Sequence, residues 1–482
     1  MTALPTSTPA EQGVDPRGVL DLVETLEGLP DVEPHSLVLV RHGHVVAQGW
    51  WSPYTPDGLQ LLYSLSKSVT SCAAGLAVAE GLLDLDTPVL QHFPELVDAV
   101  PEASRTLLVR HIAAMASGHL DDTWGPVTTA DPSEPVRAFL QLLPEQPHGT
   151  VFAYDQSSSY TLAAIVQRLT GQPLTAYLRP RLLDPLGIGA VSWEADHLGR
   201  ELGFSGLHAT TGAVAALGQL LLDEGTWQGR PLLPQGWVAE ATRVHVGTAG
   251  GSRPPDWQQG YGLQFWRSRH GYRGDGAFGQ FCLVLPEHDA VLALTAQTEQ
   301  MQAVLDAVWR ILLPALGGAP TAPGPDDAAL AARLTGLVVP LVGEAPQPPP
   351  AERGWAGTFT PTDRAAREQP SLTDVVLAED ADGWSVTLTE TGAPLTARLG
   401  TGAWRRTDAE RWGPDDVVPL AVDGGWTAPG TLRVDVLFVE TPHRLVLTLS
   451  LAGRTVDLRW VTRSLHTDTL HGLRSPSRVR TG

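Results

Sequence analysis

Lysine and asparagine are nearly missing from this chain of 482 residues: Lys67 is the single lysine, and no asparagine occurs. Of the 33 basic residues the other 32 are therefore arginine (33 − 1). Both shortages fit a GC-rich genome, whose codon usage disfavours these two residues. Replacing lysine by arginine is nearly free on a surface, where only the charge matters. It is not free where an amine must lose its proton, because a guanidinium keeps its own even when buried. A lone surviving lysine thus points to a position that needs a deprotonable amine. Cysteine is scarce as well, and Cys72 and Cys282 lie in apolar helix-like and strand-like runs, which argues for buried thiols and against a disulfide. Basic charge is outweighed, with a formal net charge of −20, so phosphate backbones and anionic membranes are poor partners. No apolar run reaches the roughly 18 residues that span a bilayer. The stretch Met1 to Gly13 holds neither a basic region nor an apolar core. From these shortages follow the expectations of a soluble cytoplasmic protein that binds neither nucleic acid nor membrane and holds neither cofactor nor metal.

What is present is a large apolar complement, 43% of the residues, ample for a real core in two or more domains. Asp15-Pro16 starts a helix with an apolar stripe at Val19, Leu20, Val23 and Leu26. Ser36 to Val40 and Val45 to Trp50 read as strands joined by a turn at Arg41-His42-Gly43-His44. From Lys67 to about Thr210 the chain is mostly helical, including Leu107 to Met115 and Ser159 to Thr170. Thr211 to Glu224 and Gln235 to Val244 are further helices, Gly260 to Trp266, Phe281 to Leu285 and Val291 to Thr295 further strands, and Met301 to Leu313 a closing helix. Strands at both ends with helices between predict one sheet assembled from the two ends of a domain covering residues 1–316. Residues 317–353 read as a Gly/Pro-rich linker, punctuated by Gly317 to Pro325 and Glu344 to Pro350, with a short helix over Ala328 to Leu337. Residues 354–482 alternate in short runs, such as Leu432 to Val439 and Leu445 to Leu451, parted by turn pairs at Asp382-Gly383, Asp423-Gly424 and Ala452-Gly453. The expected architecture is α+β, an antiparallel sheet flanked by helices with a helical subdomain, followed by an all-β antiparallel barrel or sandwich.

The lone lysine closes Ser64-Leu65-Ser66-Lys67, at the start of the helical pattern that ends at Glu80-Gly81. Ser64 in the first turn and Lys67 one turn along share a face, so hydroxyl and amine can hydrogen-bond. A serine hydroxyl is a weak nucleophile until a base takes its proton, and Lys67 is placed to be that base. About ninety residues on, Gly149 to Tyr160 forms a loop entering a helix and carries Tyr154. Later still, Gly274 to Gly279 matches a dinucleotide-binding spacing by letter, but a strand follows where that fingerprint needs a helix.

Together, Ser64-x-x-Lys67, a Tyr after a Gly-Thr-x-Phe approach and a late Gly-rich strand resemble the serine beta-lactamase and penicillin-binding-protein superfamily, in its esterase-like, class-C-related branch. Gly81 to Asp86, Met115 to His119, Thr175 to Ile188 and Tyr272 to Phe281 are similar to that branch as well, so the resemblance covers residues 10–316. It implies a beta-lactamase-like fold, Ser64 as acylated nucleophile, Lys67 as activating amine and Tyr154 as a partner base. A phenol beside an ammonium is expected to be more acidic than usual and to share one proton with it. The family's Tyr-x-Asn stands here as Tyr154-Asp155-Gln156, and Gln156 offers the same amide on a longer stem. The segment Arg273 to Gly279 takes the place of a motif that usually carries Lys or His, so Arg273 is expected to bind substrate as a fork rather than act as a base. Asp275, Gly276, Gly279 and Gln280 complete the expected substrate contacts, with a backbone N–H near Gly279 or Gln280 joining that of Ser64 in an oxyanion hole.

The leading expectation is a serine hydrolase that acts through an acyl-enzyme on a small ester, a short amide or a D-amino-acid peptide. The alternatives are beta-lactamase or D,D-peptidase-type activity and, in another class, a catalytically silent binding protein on the same fold. For the barrel three roles stay open: recognition surface, cover over the cleft, or contact in a homo-oligomer.

Overall fold

The computed structural model describes residues 4–343, 354–410 and 416–478, so the Gly/Pro-rich stretch Glu344 to Pro350 lies outside the described residues. Helix α1 (Pro16–Gly28) opens on an Asp15 carboxylate that accepts the Arg17 N–H, with proline in the first turn. Strands β1 (Val32–Arg41) and β2 (His44–Trp50) form the expected hairpin. The turn residues His42 and Gly43 both take positive φ, 48° and 72°, as a tight two-residue connection requires.

Helix α2 (Ser66–Ala79) follows, then α3 (Gln156–Thr170) and α4 (Thr211–Leu222). The chain returns to the sheet as β3 (Trp266–Arg267), β4 (Tyr272–Gly276), β5 (Gln280–Leu285) and β6 (Ala290–Thr298). The resulting order β2-β1-β6-β5-β4-β3 pairs the first long strand with the last, antiparallel from Val32↔Thr298 to Arg41↔Ala290. Gly260 to Phe265, expected as strand, forms no continuous one, and β3 begins only at Trp266.

Both faces of this sheet are covered, so its strands bury alternate residues in two different cores. Val38, Val40 and Val291 face a cluster built with α2, α3 and α4. Leu37, Leu39 and Leu292 face another, built with α1, α5 (Met301–Ala307) and α6 (Pro325–Thr335). Thus the expected linker helix exists, two residues earlier than expected at its end, and packs Leu330 and Leu334 onto the sheet instead of spanning open solvent.

Nine strands follow among the described residues: β7 (Gly357–Pro361), β8 (Leu372–Asp380), β9 (Gly383–Glu390), β10 (Ala393–Arg398), β11 (Arg405–Glu410), β12 (Val417–Ala428), β13 (Thr431–Phe438), β14 (His443–Ser450) and β15 (Thr455–Trp460). They form one sheet in the order β10-β9-β8-β7-β15-β14-β13-β12-β11, curled nearly into a barrel by the bridge between Gly400 and Asp423. Its strand pairings are antiparallel except β7 with β15, and the closing Gly400–Asp423 bridge is parallel too. The expected turn at Asp423-Gly424 is instead the middle of β12. Asp423 is buried there and accepts the backbone N–H groups of Val342 and Gly402, a use of its carboxylate that mimics a turn's chemistry without making one.

The barrel is not a separate body hung on a tether. Ala421, Leu437 and Val439 belong to the same apolar cluster as Leu39 and Leu292. Arg444 bonds Glu33 at 2.5 Å, and the Gln297 amide donates to Thr462 Oγ1 at 2.8 Å. No helix of the described residues is long and apolar enough to cross a membrane.

Candidate active site

Ser64 lies in a 3-10 turn, Tyr63–Leu65, immediately before α2. Tyr63 is held at φ 46°, a conformation that a bulky side chain takes only when its surroundings enforce it. Those surroundings come from the barrel, because the Tyr63 hydroxyl meets His443 Nε2 at 2.6 Å. Burial pushes the His443 imidazole down to about 3, so the ring is neutral. Its Nδ1 donates to the Thr462 carbonyl at 3.0 Å, which leaves Nε2 to accept the tyrosine proton.

Lys67 sits on the first turn of α2 with a relative exposure of 1%. Its Nζ is 3.0 Å from Ser64 Oγ, 2.6 Å from Gln156 Oε1 and 2.8 Å from the Phe204 carbonyl. All three partners are neutral. Burial therefore lowers the amine to about 7, against the opposing pull of Asp122, Asp275 and Asp155. An amine with that value is about half neutral at pH 7 and can take up a proton there.

Gln156 reaches Lys67 because Asp155 fixes the start of α3. The Asp155 carboxylate accepts Ser157 N–H and Ser158 Oγ–H from the helix and Thr123 N–H and Oγ1–H from the preceding loop. Gln156 N–H in turn donates to Asp122 Oδ1 at 2.9 Å. The longer stem of glutamine thus places an amide oxygen on the lysine.

Tyr154 stands beside the pair. Its ring stacks on Trp266 with centroids 5.4 Å apart, and Lys67 Nζ lies 4.7 Å from its ring centroid, over the face. Burial and the charge of Asp275 push the phenol well above its ordinary value, and Ser64, Trp266 and Arg273 offset this only in part. The expectation of a phenol made acidic by a neighbouring ammonium is overturned: the amine, lowered to about 7, meets the face of the ring, and desolvation of the phenol wins.

The third segment differs most from expectation. Arg273 is completely buried, its Nε on Asp275 at 2.8 Å and its Nη1 on Ser268 Oγ and the carbonyls of Asp256 and Arg267. Its guanidinium lies 4.5 Å from the Trp257 ring centroid, so it presents no fork to the cleft. The expected substrate contact from Arg273 is corrected to a structural ion pair. Burial raises the Asp275 carboxyl, and Arg273 and Lys67 pull it back only in part. The glycines also serve otherwise than expected. A Cβ on Gly276 would stand 2.0 Å from the Leu62 carbonyl and one on Gly274 2.4 Å from Ser68 Oγ, so these glycines let β4 lie against the Ser64 turn. Gly279, at φ 90°, and Gln280 hold the β4–β5 hairpin: the Gln280 amide donates to the carbonyls of Phe278 and Ala296. Neither borders the cleft, whereas Asp275, Gly276 and Ala277 do.

Two chambers of 680 and 620 Å³ meet at Ser64. Several of their residues carry no local sequence signal. Phe204 contributes through its carbonyl, Asp122 through a charge at a loop end, and Leu465 and His466 arrive from beyond the last barrel strand. Asp121-Asp122, shortly after Gly118-His119, was the only one of these visible as an acidic pair.

The Beta-lactamase family model matches residues 24–315. The chain is 28% identical over 322 residues to the 6-aminohexanoate-dimer hydrolase of Paenarthrobacter ureafaciens, covering 59% of this chain and 78% of that protein. It is 25% identical over 328 residues to Penicillin-binding protein 4 of Amycolatopsis lactamdurans, covering 59% and 86%. Among solved structures, EstCE1, a hydrolase with promiscuous acyltransferase activity, superposes with a TM-score of 0.51 at 16% identity, covering 63% of this chain and 98% of its own.

Proposed function

Since this chain belongs to the beta-lactamase family, we propose that it is a serine hydrolase that acts on a small ester or amide through an acyl-enzyme on Ser64. One observation carries the reading: an amine lowered to about 7 stands 3.0 Å from a serine hydroxyl that opens onto a cleft. In the first step neutral Lys67 takes the Ser64 Oγ proton while Oγ bonds to the substrate carbonyl carbon. The carbonyl oxygen becomes an oxyanion. The backbone N–H of Ser64 and that of Ala277, at the cleft-side end of β4, are the donors assigned to it.

Collapse of the oxyanion breaks the bond to the leaving alcohol or amine, which departs with the proton held by Lys67. Tyr154, kept protonated by burial, relays that proton through its hydroxyl: it gives its own proton to the leaving group and takes one from the ammonium side. Water then adds to the acyl carbon as Lys67 takes its proton, and collapse of this second oxyanion breaks the bond to Ser64 Oγ, which recovers that proton from Lys67 as the acid departs. Gln156 holds the amine in line by its 2.6 Å bond. The names of the relatives, a 6-aminohexanoate-dimer hydrolase and a penicillin-binding protein, support a small carbonyl substrate.

Intact mass after incubation with a fluorophosphonate tests the reading. A single adduct on the wild type that is lost in Ser64→Ala is the expected result. A folded wild type that takes no adduct would overturn it in favour of a silent binding protein.

A further inference from the structure

Leu465 is 65% exposed, yet it borders both chambers that meet at Ser64. A leucine left in water at the mouth of a cleft gains nothing for the fold. Its position is nevertheless fixed. The next residue, His466, has Nδ1 2.9 Å from Glu194 Oε2 and Nε2 2.9 Å from Ser205 Oγ. Its ring lies against Tyr63, centroids 5.2 Å apart, and against Phe204, 6.2 Å apart. Tyr63 precedes the nucleophile, and the Phe204 carbonyl holds Lys67. The loop from the barrel is thus pinned at both ring nitrogens to the helical side of the molecule, and that pinning holds Leu465 over the cleft.

Resting on the hydrolase reading above, we propose that Leu465 is a specificity-determining residue, the apolar contact for the substrate's alkyl or aryl substituent beside the scissile carbonyl, with His466 as its positioning residue. The substrate covers what the fold leaves wet. An apolar substituent in contact with Leu465 sheds water only on binding, so the gain falls on KM rather than kcat. The class of substrate that this selects is an ester or amide with an apolar acyl or leaving group of several carbons.

The test uses the full-length protein and two ester series, p-nitrophenyl esters of acyl length two to ten and acetates of alcohols of the same lengths. A short ethyl fluorophosphonate counts competent Ser64 in each variant. Leu465→Ala should lower kcat/KM for the longer members about tenfold relative to the shortest, through KM, while Ser64 labels at the wild-type rate. Leu465→Trp, which fills the junction, should exclude the long members and spare the short ones. His466→Ala should repeat the Leu465→Ala profile, since it frees the loop without altering the leucine. Wild-type profiles in both series for both Leu465 variants, with Ser64 still labelled, would overturn the inference and leave the hydrolase reading intact. Failure of the wild type to label would remove both.

Discussion

The Ser64 turn and strand β4 each bury one cation, and the two cations are treated in opposite ways. Lys67 is surrounded by a hydroxyl, an amide oxygen and a backbone carbonyl, none of them charged. Arg273, 0% exposed, has a carboxylate on its Nε and carbonyls and a hydroxyl on its Nη1. With neutral groups as its direct partners, desolvation outweighs the pull of the more distant carboxylates and the lysine gives up its proton near pH 7. A carboxylate partner supplies the missing charge, and a guanidinium has no accessible neutral form in any case. Burial alone therefore does not mark a reactive cation. The charge of its partners does, and it separates a group built to exchange protons from one built to hold a strand.

The sharpest break in this contrast is Lys67→Arg, which puts the Arg273 chemistry at the Lys67 position. The charge stays and the base is lost, so kcat/KM should fall about a thousandfold, within the range that general-base catalysis contributes. Raising the pH should not recover it. Residual turnover that climbs with pH as in the wild type would show that another group takes the serine proton. The complementary substitution, Arg273→Met, strands the buried Asp275 carboxylate. Unfolding in urea should show a loss of about 3–5 kcal/mol, the cost of breaking a buried pair on one side. Adding Asp275→Asn should restore at least half of that, because the uncompensated charge, not the missing packing, is the larger part of the cost.

Sequence reading reached the Ser64–Lys67 pair and the closure of the sheet, and it is instructive why it stopped there. A helical period puts residues three apart on one face, and Ser64 and Lys67 do meet, although Ser64 lies in the 3-10 turn just before α2 and not in the helix itself. Likewise β1 and β6 were each recognisable as buried strands, and their pairing follows from the rule that both ends of such a domain share one sheet. Arg273 was misjudged because a Gly-rich strand looks equally open to substrate or to a neighbouring helix. Only the 2.0 Å that would separate a Gly276 Cβ from the Leu62 carbonyl decides for the helix side. Asp423-Gly424 was misjudged because a carboxylate that accepts N–H groups from distant loops has the composition of a turn. Leu465 and His466 carry no periodic or motif signal, and just over four hundred positions separate them from Ser64. Their place in the cleft follows from how the barrel docks, through Tyr63 and His443 among other contacts.

A gentler substitution converts one case into the other without touching a cation. Gln156→Glu places a carboxylate 2.6 Å from the amine, where the amide oxygen stood. Lys67 should then behave as a paired cation, its pKa raised by about 1–3 units. In the wild type kcat/KM should rise with pH to a plateau above about 7, since only the neutral amine serves as base. In Gln156→Glu that rising limb should move to higher pH by the same amount. Activity at pH 7, where about half of the wild-type amine is neutral, then falls about 5- to 500-fold and returns as the pH is raised. A loss that is uniform across pH would mean that the substitution misplaces the amine instead of recharging it.

The smallest effect should come from Asp122, which acts on Lys67 through space. Its Oδ1 accepts the Gln156 N–H at 2.9 Å, and its charge is the largest of those that hold the Lys67 pKa up. Asp122→Asn keeps an oxygen for that N–H and removes the charge. With one negative neighbour gone the protonated amine is less favoured, so the Lys67 pKa should drop further below 7, and the rising limb should shift to lower pH. The side chain is exposed at the cleft wall, where water and salt screen it, so the shift should be below about one unit. It should also shrink as salt is added to the wild type, because screening does part of what the substitution does. The variant should be faster than wild type at pH 6 and equal to it on the plateau. If salt moved the limb in Asp122→Asn as far as in the wild type, the charge that tunes Lys67 would lie elsewhere in the cleft, and the contrast between the two buried cations would need a different cause.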